Sequence, residues 1–345
     1  MRPGSDRTVP AVAGAAVYPG LAAVSGVEQL RAFLSGRAPA PPVGRLTGRR
    51  IVDASRGSAT YALPATGWML GPSGFVHSGA LALLADGALV AAVISGLPPR
   101  TLCTTAELSM TYLARLPAGH GEVTARGRLL HLDGEMGLAE VYVHDAGDRL
   151  VAHGTSRCTV FSAIDASVEL QAPAAAPEPA PDTPDPYRRP VPATDATPAP
   201  FERDGLDVLR AQLRGELPPP PIDQLIGIRL AAAEPGCVEF TLPAHGSLGN
   251  EWGTVYGGVT TLLAKSAAAA AVQTTAAAGT RFTALDIKVN MLRPIALDGG
   301  ELVATGTLLH RGRRLAIATA QVMHGEKRVA VATGTTALTA TRPVG

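Results

Sequence analysis

At 345 residues the chain has room for two domains of ordinary size, and with 46% hydrophobic residues but only 4% aromatics its core must be built from Ala, Val and Leu. A formal net charge of +1 excludes the basic excess of a general nucleic-acid binder. Three widely spaced cysteines, Cys103, Cys158 and Cys237, form neither a disulfide framework nor a zinc motif and fit a reducing cytoplasm.

The first 25 residues are broken by Pro and Gly where a signal peptide needs an unbroken apolar stretch, and are expected to be poorly ordered. Residues 26–165 read as the first domain. It opens with an amphipathic helix carrying Leu30, Phe33 and Leu34, stopped by a Pro-rich stretch. The strand "GSATYALPA" and a Gly-rich loop follow. Ser78 to Ser95 is dense in Ala and Leu and lacks β-branched alternation, so it predicts one long apolar helix. Asp86 in the middle of that run argues for a buried helix and against a membrane span. Three strand segments come next, "TAELSMTYLARL", "GEVTARGRLLHL" and "LAEVYVHDAGDRLVAHGTSRCTVF", the last a hairpin about Asp145 to Asp148. Residues 166–200 are rich in Pro and Ala with nothing to bury, the composition of an extended linker.

Residues 201–342 repeat the first domain. Gly26 aligns on Gly205, an offset of 205 − 26 = 179, and the same offset pairs Leu63 with Leu242, Gly79 with Gly258 and His131 with His310 without a gap. Such constancy marks a duplication. The second copy has its amphipathic helix at Leu206, Leu209 and Leu213 and its apolar helix from about Gly258 to Ala277. One long helix followed by long antiparallel strands is an α+β layout. The stretch "HSGALALLAD" (His77–Asp86) thus recurs as "YGGVTTLLAK" (Tyr256–Lys265), with the charge reversed.

The second copy carries "GNEWGTVYGG" and "VNMLRP"; the first carries "GFVHSG", Asp86 nine residues after His77, and "CTTAELSMTYLARL". In this order these motifs resemble the PaaI-like acyl-CoA thioesterases of the hotdog fold. The resemblance implies two tandem hotdog domains, each a sheet wrapped round a helix, paired as an intrachain dimer with sites shared across the interface. It also implies which half of a site each copy keeps. Asn250, Gly253, Gly257 and Gly258 fall on the side that holds the thioester carbonyl. Asp86 and Thr105, or its neighbour Thr104, fall on the side that supplies acid and hydroxyl. The complementary positions have lapsed: Gly71 and Ser78 stand where Asn250 and Gly257 stand in the other copy, and Lys265 and Ala284 match Asp86 and Thr105. Crossing the copies rebuilds one complete site and leaves one degenerate.

The chemistry suits those residues. Amides at a helix N-terminus lack intrahelical acceptors and sit at the positive end of the helix dipole. Gly at 257 and 258 lets a carbonyl approach them, and Asn250 offers a further donor. Asp86 would act as general base on water or as nucleophile through an anhydride. A protonated Lys265 cannot be the base; it would pair with a carboxylate or meet a coenzyme phosphate. His77, Arg293 and Arg313 are secondary candidates for substrate contact, and each has a plain structural reading: a helix-start hydrogen bond for His77, a solvated hairpin end for Arg313. The substrate expected is an acyl-CoA or an acyl-carrier thioester; no metal and no cofactor is expected, coenzyme A being part of the substrate, and the partners expected are that thioester and a second copy of the chain, with no nucleic acid and no membrane. A non-catalytic acyl-thioester binder is the alternative; a hotdog hydratase ranks last because no "HxxPG" pattern is present.

Overall fold

A computed structural model describes residues 19–119, 121–162 and 202–340. The first domain runs from a 3-10 turn (Pro19–Ala23) through α1 (Gly26–Leu34), α2 (Pro42–Thr47), β1 (Arg50–Ser55), β2 (Ser58–Pro64), α3 (Ser78–Ile94), β3 (Thr101–Tyr112), β4 (Glu122–Leu132), β5 (Met136–His144) and β6 (Leu150–Ser162). The second repeats this order as α4 (Gly205–Leu213), α5 (Pro221–Ile226), β7 (Arg229–Glu234), β8 (Cys237–Pro243), α6 (Gly257–Gln273), β9 (Thr280–Ala284), β10 (Asp286–Met291), β11 (Glu301–Arg311), β12 (Leu315–His324) and β13 (Lys327–Ala340).

A helix that is apolar on every side can only be stable when surrounded. In α3 every residue but Ser78 and Val90 is buried, and in α6 every residue but Gly257 and Ala269, the matching positions under the 179-residue offset. Each helix lies in the concave face of its own domain's strands. The approach is so close that a Cβ on Gly127 of β4 would stand 2.2 Å from the Ala88 carbonyl oxygen, and one on Gly306 of β11 2.1 Å from that of Ala267. Backbone, unlike a flexible side chain, cannot give way. Gly306→Ala is therefore expected to destabilise the fold by about 3 kcal/mol, the upper end of ordinary overpacking, read as a lowered urea midpoint with an unchanged slope.

The two domains share one antiparallel sheet, in the order β1-β2-β4-β5-β6-β3-β10-β13-β12-β11-β8-β7, with β9 on β13. The seam is β3 against β10, where Leu108 faces Val289 and Met110 faces Ile287, all four buried. Beneath it α3 and α6 meet through glycine: a Cβ on Gly79 would come 3.0 Å from the Leu262 Cα, and one on Gly258 2.7 Å from the Leu83 Cα. The pairing of tandem hotdogs within one chain is thus a property of the fold.

Several expectations need correction. Residues 19–23 are ordered, because Leu21 and Ala22 are fully buried against α1; residues 1–18 and the linker 166–200 lie outside the described residues. Leu34 and Leu213 are exposed, since each ends its helix on the outer side. Strands β1 and β7 were not predicted: each buries a single Ala, so no alternation reveals it. Helix α6 stops at Gln273, short of Ala277, where Thr274 turns its hydroxyl back onto the Ala271 carbonyl. Among the described residues no helix is long and apolar enough to cross a membrane.

Candidate active site

The loop before α6 is shaped by Asn250. Its Oδ1 accepts from the Trp252 amide at 2.9 Å and the Thr254 amide at 3.1 Å, and its Nδ2 donates to the Thr254 hydroxyl at 2.8 Å. This is an Asx turn, and Gly253 within it takes φ +79°, which favours glycine. Asn250 thus has a structural duty as well, and one of its two amide hydrogens is left over. The helix begins at Gly257 after Tyr256, whose side chain does not cap it. In the first domain His77 does cap α3, its Nδ1 accepting from the Gly79 amide at 3.1 Å. The second domain therefore supplies no side-chain cap of its own to the start of α6, and the Gly257 amide faces the cavity.

Facing them from the other domain is Asp86, only 1% exposed. Its Oδ1 accepts from the Thr105 hydroxyl at 2.9 Å, while Oδ2 makes no hydrogen bond of good geometry. Oδ2 stands 3.1 Å from where a Cβ on Gly257 would be, so glycine is what leaves space between the carboxylate and the helix start. Burial raises the Asp86 carboxyl above its ordinary range; the Thr105 hydroxyl, the Arg49 charge, the Tyr256 hydroxyl and the Gly258 amide pull it back without overcoming the burial.

A cavity of about 250 Å³ opens at this point, lined by Asp86, Thr104, Thr105, Asn250, Gly257 and Arg293 together with Glu251. Thr105 is buried at its floor; Thr104 and Arg293 are exposed, and Arg293 donates to the Arg328 carbonyl at 2.8 Å. Gly258 lies behind the wall, packed on Leu83, and Gly253 shapes the loop. Two candidates are elsewhere. His77 lines a second interdomain cavity, because the start of each helix faces the other helix's acid position and His77 meets Lys265. Arg313 is exposed in the β11–β12 turn and does not line the first cavity.

Three contributors were not foreseen. Arg49, buried just beyond the α2 cap at Gly48, lies over the rings of Tyr61 and Tyr256 at 4.8 and 4.6 Å to their centroids. Tyr256 donates its hydroxyl to the Leu83 carbonyl at 3.1 Å, tying α6 to α3. Glu251 brings a second carboxyl to the cavity, raised by burial and lowered again by its own amide and by Arg49. The only signals in sequence were the doubled Arg after Gly48 and the charge beside Asn250. Cys103 also lines the cavity, but Cys158 and burial hold its thiol well above its ordinary pKa, which argues against a thiolate nucleophile.

Comparison with known proteins bears on the family and the fold. The sequence model of the thioesterase superfamily matches twice, at residues 73–152 and 253–331. No curated protein matches significantly. Among solved structures, the chain is similar to a putative thioesterase from Novosphingobium aromaticivorans (16% identity, 84% of this chain and 98% of that one, TM-score 0.53). It is also similar to an acyl-CoA thioesterase II from Mycobacterium marinum (11% identity, 88% and 99%, TM-score 0.51). A third is a hot dog fold protein of unknown function from Alicyclobacillus acidocaldarius (12% identity, 87% and 98%, TM-score 0.53). At these identities the structures speak to fold alone: the chain is a tandem double hotdog, and each of its two copies matches the thioesterase superfamily.

Proposed function

We propose that this protein hydrolyses an acyl-CoA thioester, and that it does so at one composite site between its domains. The observation that carries this reading is Asp86: a buried carboxylate, oriented by Thr105, directed from one domain at the open N-terminus of α6 in the other. The thioester carbonyl oxygen binds the helix-start amide of Gly257 and the spare Asn250 amide hydrogen, while the Gly258 amide is turned to Asp86. Asp86 takes a proton from water as the water oxygen bonds to the acyl carbon. Negative charge collects on the carbonyl oxygen, where the helix dipole and amides stabilise it. The intermediate collapses with cleavage of the C–S bond, and the proton on Asp86 passes to the departing thiolate. Free acid and coenzyme A leave. Arg293 and Thr104 at the mouth suit the coenzyme portion, and no other cofactor takes part.

The test is release of free thiol from a panel of acyl-CoAs that differ in chain length and aromaticity. Turnover is expected on at least one, and silence across the panel with wild-type protein would sink the proposal. Asn250→Asp keeps an acceptor for the Trp252 and Thr254 amides and loses the donor. It is expected to lower kcat by about 10²–10³-fold, the usual cost of one oxyanion donor, with the melting temperature little changed.

A further inference from the structure

The cavity on the other side of the pseudo-twofold is an unassigned site. It encloses about 110 Å³, and Lys265 lines it at the position Asp86 holds in the first cavity. Lys265 is 3% exposed, and among the described residues its ammonium has no ion pair and no hydrogen bond, only the distant charge of Asp286. The nearest acidic influence is Asp286, whose Oδ1 is already taken by the Thr335 amide at 2.8 Å. An unpartnered buried ammonium is costly. It does not stand alone. The Tyr112 hydroxyl has Ser78 as a neighbour but makes no hydrogen bond of acceptable geometry, the Ser266 hydroxyl has no partner, and both residues line the same cavity. His77 lines it too. With Nδ1 accepting from Gly79, its ring proton belongs on Nε2, a fourth donor. Leu81 and Phe282 supply apolar wall.

One buried cation and several neutral donors left without acceptors describe the complement of a singly charged anion with an apolar end. A doubly charged phosphate finds only that one buried charge, because the second cation on the wall, Arg115, is exposed and stacked over the Phe75 ring, and Asp223 lines the wall as well. The volume lies below the ~150 Å³ that accommodates a benzene ring, which points to a short chain. We propose that this second cavity binds a short-chain monocarboxylate, its carboxylate held by Lys265, Tyr112 and Ser266 and its hydrocarbon end against Leu81 and Phe282.

The charge on Lys265 makes the binding depend on pH. Burial brings its pKa down to about 8 in the empty cavity, with Asp286 opposing. The other groups facing it are His77 at the start of α3, Tyr112 on β3, Arg115 beyond β3 and Asp223 on α5. Burial and then Lys265 lower the His77 pKa to about 3, so the ring is neutral at working pH, and burial raises Tyr112 well above its ordinary value. Burial also brings Asp223 up to about 7, so it ionises before Lys265 loses its proton. Affinity therefore falls about tenfold per unit above pH 8, because the carboxylate needs the ammonium.

Titration of the full chain with butyrate, followed by NMR shifts or calorimetry, tests the proposal. Butyrate is expected to bind, uncharged butyramide at least about tenfold more weakly. Lys265→Met should lose about tenfold or more, and Tyr112→Phe several-fold. Asp86→Asn, altered only in the first cavity, should bind butyrate as wild type does. Absence of butyrate binding to wild type, equal binding by Lys265→Met and Tyr112→Phe, or loss in Asp86→Asn would each overturn it. Tyr112→Phe changes a single atom and keeps the test open should Lys265→Met misfold.

Discussion

Asp86→Asn is expected to lower kcat by about 10²–10⁴-fold, the range for a missing general base, and to raise the melting temperature at the same time. The two effects share one cause. The native carboxyl is raised above its ordinary value of 3.8 mainly by burial, so between that value and the raised one the native state binds more protons than the unfolded chain. Stability then falls as pH rises through this window, and above it the ionised group weighs against folding. Asparagine removes the charge and with it the base. The same shift places the acid limb of kcat/KM in wild type above pH 3.8, because only ionised Asp86 accepts the proton. Paired rate and thermal-melt measurements decide the matter. A variant that keeps activity within about tenfold of wild type would remove Asp86 from the chemistry.

Lys265→Met is expected to stabilise the protein by up to about 3 kcal/mol at pH 7 in the absence of any carboxylate. Burial depresses the native pKa from 10.5 to about 8, and each unit is worth about 1.4 kcal/mol. The cost is fully present below pH 8. Between 8 and 10.5 the unfolded chain binds more protons than the native one, so wild type gains stability as pH rises and the advantage of the variant shrinks. Urea unfolding at pH 7 and at pH 10 measures the difference. An advantage equal at both values would mean that shape, and not charge, decides the effect. Hydrolysis should persist in the variant, since Lys265 does not line the first cavity.

The duplication was legible in full, because an offset of 179 that stays constant from Gly26 to His131 needs no knowledge of structure. So was the crossing of Asp86 and Thr105 with Asn250 and Gly257, because the losses in the two copies are complementary. The same logic should have carried His77 to Lys265. Arg49 was invisible for a different reason. It is held by ring faces from two distant segments, Tyr61 and Tyr256, and no local pattern encodes a contact across the domain seam. Strands β1 and β7 escaped because an outer strand with one buried residue carries almost no hydrophobic period. Leu34 and Leu213 misled because a leucine at the end of a short helix is free to turn outward.

The seam of β3 against β10 also bears on how such a protein can evolve. In a dimer of identical subunits every substitution is inherited by both sites at once, so an aspartate cannot become a lysine in one place alone. A single polypeptide that supplies both sides of the seam lifts that constraint. One site is free to drift toward a new ligand while its twin is kept under selection, and the two then stand in fixed one-to-one proportion in every molecule made.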